Sequence, residues 1–125
     1  MGMNILVVDD SAVMRAMIIK TLRLSGLPLG AVHEAGDGAQ GLAALAVHAV
    51  DLALVDINMP VMNGAELIDR IRADPALASL PIVVISTDSS DVRAEQARAR
   101  GCLFVHKPFS PETLRDTVSR AVPVS

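Results

Sequence analysis

Five polar residues stand where short apolar runs stop. Asp9 and Asp10 follow Asn4 to Val8, Asp56 follows Leu52 to Val55, Ser86 follows Ile82 to Ile85, and Lys107 comes shortly after Leu103 to Val105. In an open parallel α/β sheet, ligands bind beyond the carboxyl ends of the strands, so these residues are expected on one rim. Singly, each has an ordinary structural use: Asp10 or Ser11 as a helix cap, Asp56 as a turn residue, Ser86 as a partner for backbone groups. Together they do not, because three carboxylates at one rim repel each other and resist full ionisation unless a cation sits among them. Mg²⁺ meets that need, since it takes oxygen ligands, accepts one or two carboxylates, keeps waters and welcomes a phosphate oxygen. With the Lys107 ammonium and the Ser86 hydroxyl at the same mouth, the set suits a carboxylate nucleophile that accepts a phosphoryl group. Such a transfer depends on alignment and on neutralising charge over three equatorial oxygens. The product is an acyl phosphate on the attacking carboxylate.

The elements that must position these residues emerge from hydrophobic period. Short β-rich runs alternate with segments of helical spacing, the pattern of stacked βα units around a parallel sheet. Strands are expected at Asn4 to Val8, Val32 to Ala35, Leu52 to Val55, Ile82 to Ile85 and Leu103 to Val105. Four lack polar alternation, as helices on both faces require; the second carries His33 and Glu34 and suits a sheet edge. Helix one is expected from Ser11 to Leu24, with Val13, Met14, Met17, Ile18 and Leu22 at helical spacing and Gly26 as its stop. Helix two comes after Asp37-Gly38 and carries Leu42, Leu45 and Ala46. The third begins after Gly64, sets Leu67, Ile68 and Ile71 on one face and ends at Asp74-Pro75. A fourth, from Ser90 to Arg100, sets only Val92 and three alanines against five charges, so it is expected to be loosely held. The fifth opens with Ser110 as N-cap and Pro111 in the first turn, then turns Leu114, Val118 and Ala121 inward.

Composition narrows the function. The 125 residues, 51% of them hydrophobic, can bury one core and are expected to form a single domain. A formal charge of -3 offers no footprint for a nucleic-acid backbone. The apolar runs are too short to span a bilayer or to form a secretory signal, so no membrane association and a cytoplasmic location are expected. The single cysteine, Cys102, reads as a small buried hydrophobe, and no Cys/His spacing suggests zinc. His33 and His48 read as surface residues, while His106, sharing a side with Phe104 by strand alternation, is placed on a candidate binding face. Lys107 stands out: it is one of two lysines beside nine arginines, and both phenylalanines, Phe104 and Phe109, flank it.

Asp9-Asp10, the run from Asp56 through Asn58 and Pro60 to Gly64, Ser86-Thr87 and Lys107-Pro108-Phe109 together resemble response-regulator receiver domains of the CheY type, over nearly the whole chain. The resemblance implies a five-stranded parallel sheet of doubly wound, flavodoxin-like (βα)5 topology, with strand order 2-1-3-4-5; CheY is itself a standard illustration of that order. It implies Asp56 as phosphoacceptor and Mg²⁺ held by Asp10, by Asp9 through water, by Asp56 and by the Asn58 carbonyl. Ser86 would be the switch hydroxyl and Lys107 the phosphoryl clamp, with a cis Lys107-Pro108 bond. Phe104 matches the switch aromatic, where relatives often carry Tyr, and Asn58 and Asp88 match positions that tune the acyl-phosphate lifetime. The donor would be a phosphohistidine on a sensor or chemotaxis kinase. The target would be another protein, such as a flagellar motor switch or a kinase complex, engaged by a monomer through helix four, strand five and helix five. The chain's end at Ser125 leaves no room for an effector domain, so output by partner binding is expected.

Three rival functions fit the residues less well. A phosphatase of the haloacid-dehalogenase kind carries an acid two residues after its nucleophile, where this chain has Asn58. A flavin carrier needs a phosphate cradle after strand one, where Asp9 and Asp10 would repel it, and stacking Trp or Tyr, of which there are none. An unphosphorylated interaction module has no use for the full set of Asp9, Asp10, Asp56, Ser86 and Lys107.

Overall fold

The computed structural model describes residues 2–56, 64–86, 91–107 and 109–122. Five strands and five helices alternate: β1 (Met3–Val8), α1 (Ala12–Leu24), β2 (Leu29–Ala35), α2 (Gly38–Val47), β3 (Leu52–Asp56), α3 (Gly64–Ala73), β4 (Ile82–Ser86), α4 (Asp91–Ala99), β5 (Leu103–His106) and α5 (Pro111–Ala121). The strands form one parallel sheet in the order β2-β1-β3-β4-β5, as the family resemblance implied. Every residue of β3 and β4 is buried, which is why these runs are apolar on both faces. β2 lies at an edge, and it begins at Leu29 rather than Val32, because Leu29 pairs with Met3 ahead of a register shift.

Two core layers flank the sheet. Leu6, Val8, Val55 and Val84 pack with Leu45, Leu67, Ile68 and Ile71 under α2 and α3. Ile5, Val7, Leu54 and Ile85 pack with Ile18, Leu22, Leu114 and Val118 under α1 and α5. Helix ends are set by local chemistry. Ser11 caps α1 by accepting from the Met14 N–H at 3.2 Å, Asp37 caps α2 from Gln40 at 2.8 Å, and Ser110 caps α5 from Thr113 at 3.1 Å. Gly26, at φ 81°, takes the left-handed conformation that ends α1.

One expected face is corrected. Val13 and Met17 point to solvent, with 71% and 56% of their surface exposed, while Ile18 and Leu22 face the sheet. α1 is apolar nearly all round, so helical spacing fits two different stripes, and only the sheet decides which is buried. In α2, Leu45 is buried but Ala46 is exposed. None of the described helices is long and apolar enough to cross a membrane.

Candidate functional site

The parallel sheet brings the residues singled out from the sequence to its C-terminal rim. Asp9 and Asp10 lie just beyond β1, Asp56 and Ser86 are the last residues of β3 and β4, and Lys107 comes directly after β5. Asp9, Asp56 and Ser86 are buried, with 1%, 8% and 1% of their surface exposed, whereas Asp10 is exposed. One carboxylate oxygen from each of Asp9, Asp10 and Asp56 lies within 4.8 Å of the other two. At that spacing, and at the effective dielectric of a partly buried site, like charges repel by about 3 kcal/mol per pair as an upper scale.

Two nearby cations and the helix cap organise Asp9. Its Oδ2 accepts from Lys107 Nζ at 3.2 Å, its Oδ1 accepts from the Ser11 N–H at 2.9 Å, and its backbone carbonyl accepts from Arg15 Nη1 at 2.6 Å. The Lys107 side chain is 11% exposed and Asp9 1%, so the pair is desolvated and each charge depends on the other. The Lys107 N–H donates to the Ser86 carbonyl at 2.9 Å, which ties the end of β5 to the end of β4. Ser11, not Asp10, is the cap of α1, and this leaves the Asp10 carboxylate to the rim.

The donor set suits a hard divalent cation. It is all oxygen, it gathers three carboxylates, and two of them are buried where charge is costly unless compensated. Asp9, Asp10 and Asp56 are thus brought together as expected. Asn58, Asp88 and the Lys107-Pro108 bond lie outside the described residues.

Phe104 is half-buried, packs against the α2/α3 core layer and meets the ring of exposed His106 edge-on, with centroids 5.0 Å apart. The side-sharing of Phe104 and His106 is as alternation required. His33 is half-buried and His48 exposed, and their rings stack at 3.9 Å between β2 and the end of α2. Cys102 is buried, and burial pushes its thiol above the ordinary value, away from the reactive thiolate. Sequence reasoning missed Arg15; its only signal was Glu34, a carboxylate set in a strand beside a helix that carries its counter-charge.

Known proteins align along this same framework. The family model described as "Response regulator receiver domain" matches residues 5–119. Chemotaxis protein CheY-3 of Vibrio cholerae is 35% identical over 122 residues, covering 95% of this chain and 91% of the relative. Chemotaxis protein CheY1 of Helicobacter pylori is 37% identical over 116 residues, covering 91% and 92%. The solved structure of chemotaxis response regulator CheY4 of Vibrio cholerae superposes with a TM-score of 0.85 at 33% identity, covering 98% of this chain and 100% of that one.

Proposed function

Because the chain belongs to the response regulator receiver family, we propose that it is a stand-alone signalling switch in which Asp56 accepts a phosphoryl group from a phosphohistidine of a histidine kinase. The observation that carries this reading is the convergence of Asp9, Asp10 and Asp56 within 4.8 Å beside the desolvated Lys107 ammonium. An Asp56 carboxylate oxygen attacks phosphorus, a P–O bond forms as the P–N bond breaks, and the imidazole leaves with its electron pair and takes a proton. Lys107 neutralises a phosphoryl oxygen, and the Ser86 hydroxyl donates to another. Asp10, Asp56, the Asn58 carbonyl and, through water, Asp9 would hold Mg²⁺, which supplies charge neutralisation at the phosphoryl oxygens.

The signal arises from added charge. Phosphorylation brings roughly 1.5 to 2 negative charges to the rim. Drawing Ser86 toward them opens space that Phe104 can fill, and the thinly apolar α4 can then shift. The face of α4, β5 and α5 is the output surface on this reading. Inverting such an equilibrium from 1:99 to 99:1 takes about 5.5 kcal/mol, so the hydroxyl, lysine and aromatic contacts must act together. The relatives' names favour chemotaxis; a flagellar motor switch protein or a kinase complex is the target on this reading, and the cytoplasm its setting.

Intact-mass measurement after exposure to acetyl phosphate tests the chemistry. The expected result is a gain of one phosphoryl group that requires Mg²⁺ and disappears in Asp56→Asn. Equal labelling of the variant would falsify the assignment.

A further inference from the structure

Arg15 plays no part in the chemistry described above, yet it reaches the acid pocket from α1. Its Nη1 donates to the Asp9 backbone carbonyl at 2.6 Å while its Nε donates to Glu34 Oε1, on β2, at 3.0 Å. The arginine side chain is only 18% exposed, whereas that of Glu34 is 49% exposed. The guanidinium also passes close to the chain, since a Cβ on Gly36 would lie 3.7 Å from Nη1. The fork therefore spans from the edge strand to the peptide link between the two acids.

That link matters because its plane directs the residue after it. The Asp9 carbonyl belongs to the Asp9-Asp10 peptide, so fixing its oxygen fixes the direction in which Asp10 leaves the rim. The Asp9 side chain is already held by Ser11 and Lys107. Asp10 is exposed, and a carboxylate that must be ordered on binding a cation weakens that binding by the entropy lost. We propose that Arg15 is a positioning residue of the acid pocket, which pre-orders Asp9 and Asp10 for a divalent cation by clamping the Asp9 carbonyl, with Glu34 as its anchor. This rests on the phosphoacceptor reading of the pocket.

A positive charge near three acids also opposes cation binding, and the two effects have opposite signs. Lysine retains the charge but, as a point donor on a flexible stem, cannot bridge two acceptors with a rigid fork. Positioning predicts that Arg15→Lys weakens binding, by roughly tenfold as for other residues that orient metal ligands. Through-space charge alone predicts no change for Arg15→Lys and tighter binding for Arg15→Met.

The experiment is a Mg²⁺ titration of the full chain, monitored by amide NMR at fixed ionic strength, on the wild type, Arg15→Lys, Arg15→Met and Glu34→Gln, each checked for a cooperative melt. Expected are a raised Kd for both Arg15 variants and faster hydrogen exchange at the Ser11 amide, which bonds to Asp9. A smaller rise is expected for Glu34→Gln, an exposed and conservative change that leaves the fold intact, with no further rise when it is combined with Arg15→Lys. Wild-type affinity in Arg15→Lys, or tighter binding in Arg15→Met, overturns the positioning role while leaving the phosphoacceptor reading in place. Absence of Mg²⁺ binding by the wild type removes both.

Discussion

At the scale of single residues, the acid pocket holds stored repulsion. Asp10 shares a space of 4.8 Å with the buried carboxylates of Asp9 and Asp56, and Asp9 also meets Lys107. Replacing Asp10 by Asn should therefore stabilise the cation-free protein, by on the order of 1 kcal/mol once solvent screening of an exposed group is allowed for. Urea unfolding in the presence of a chelator measures this. Mg²⁺ at a hundredfold excess over its Kd adds about 2.7 kcal/mol to the wild type, so the ranking of the two proteins should reverse when the ion is supplied. A variant no more stable than the wild type in chelator would mean that the carboxylates do not repel.

Cys102 supplies a pH dependence on the alkaline side. Burial raises its thiol above the ordinary value of 9.0, opposed by the nearby Arg72 and Arg100. The folded state then keeps its proton to higher pH than the unfolded chain. Stability is therefore unaffected below the unfolded thiol's range; as pH rises through it, the unfolded state gains by ionising and stability falls until the folded thiol ionises too. Cys102→Ala should flatten the loss of stability above pH 9.0 relative to the wild type, as read from denaturation curves at neutral and alkaline pH. Parallel curves for the two proteins would sink this account.

At the scale of elements, α4 is attached firmly at one end. Arg72, on α3, donates through Nε to the Arg100 carbonyl at 2.8 Å and through Nη1 to the carbonyls of Ala78 and Leu80 at 3.0 and 2.7 Å. Its Nη2 reaches the carbonyl of Gly101 at 3.3 Å, and that left-handed glycine closes the turn into β5. Arg100 adds an ion pair to Asp69 at 2.7 Å, but Asp69 is 60% exposed. These contacts hold the exit of α4, so a movement of that helix pivots about its C-terminal end. Removing Arg72 leaves several carbonyls without their donor and should cost about 2–3 kcal/mol, by the scale of hydrogen bonds from charged groups. Removing Arg100 should cost less than about 1 kcal/mol, as exposed ion pairs do. Equilibrium unfolding of Arg72→Ala and Arg100→Ala checks the order, and equal losses would show that the clasp is not centred on Arg72.

At the scale of the whole molecule, much was legible because the sheet is buried on both faces. Continuous runs such as Ile82 to Ile85 can be little else than interior strands, and the polar residue after each then falls on one rim without further assumption. The rest depends on the surroundings. The sequence around Val13 and Met17 allows two buried stripes, and the sheet selects the one with Ile18 and Leu22. Leu29 to Ala31 lie outside the second strand expected from the sequence, and the strand starts at Leu29 because Met3 on β1 offers it a partner. Arg72 reaches the Arg100 carbonyl far along the chain, and Arg15 joins the Asp9 carbonyl on its near side to Glu34 on β2, pairings that no local pattern announces.

The Arg72 clasp sits at the entry of β4 and β5, opposite the rim that carries Asp56 and Ser86 at the exits of β3 and β4. The molecule is thereby divided into a pole that anchors and a pole that gathers the acids, separated by the length of a strand. An engineer wishing to graft a reporter or a surface attachment would choose the anchoring pole, where added bulk stands clear of any arriving phosphodonor.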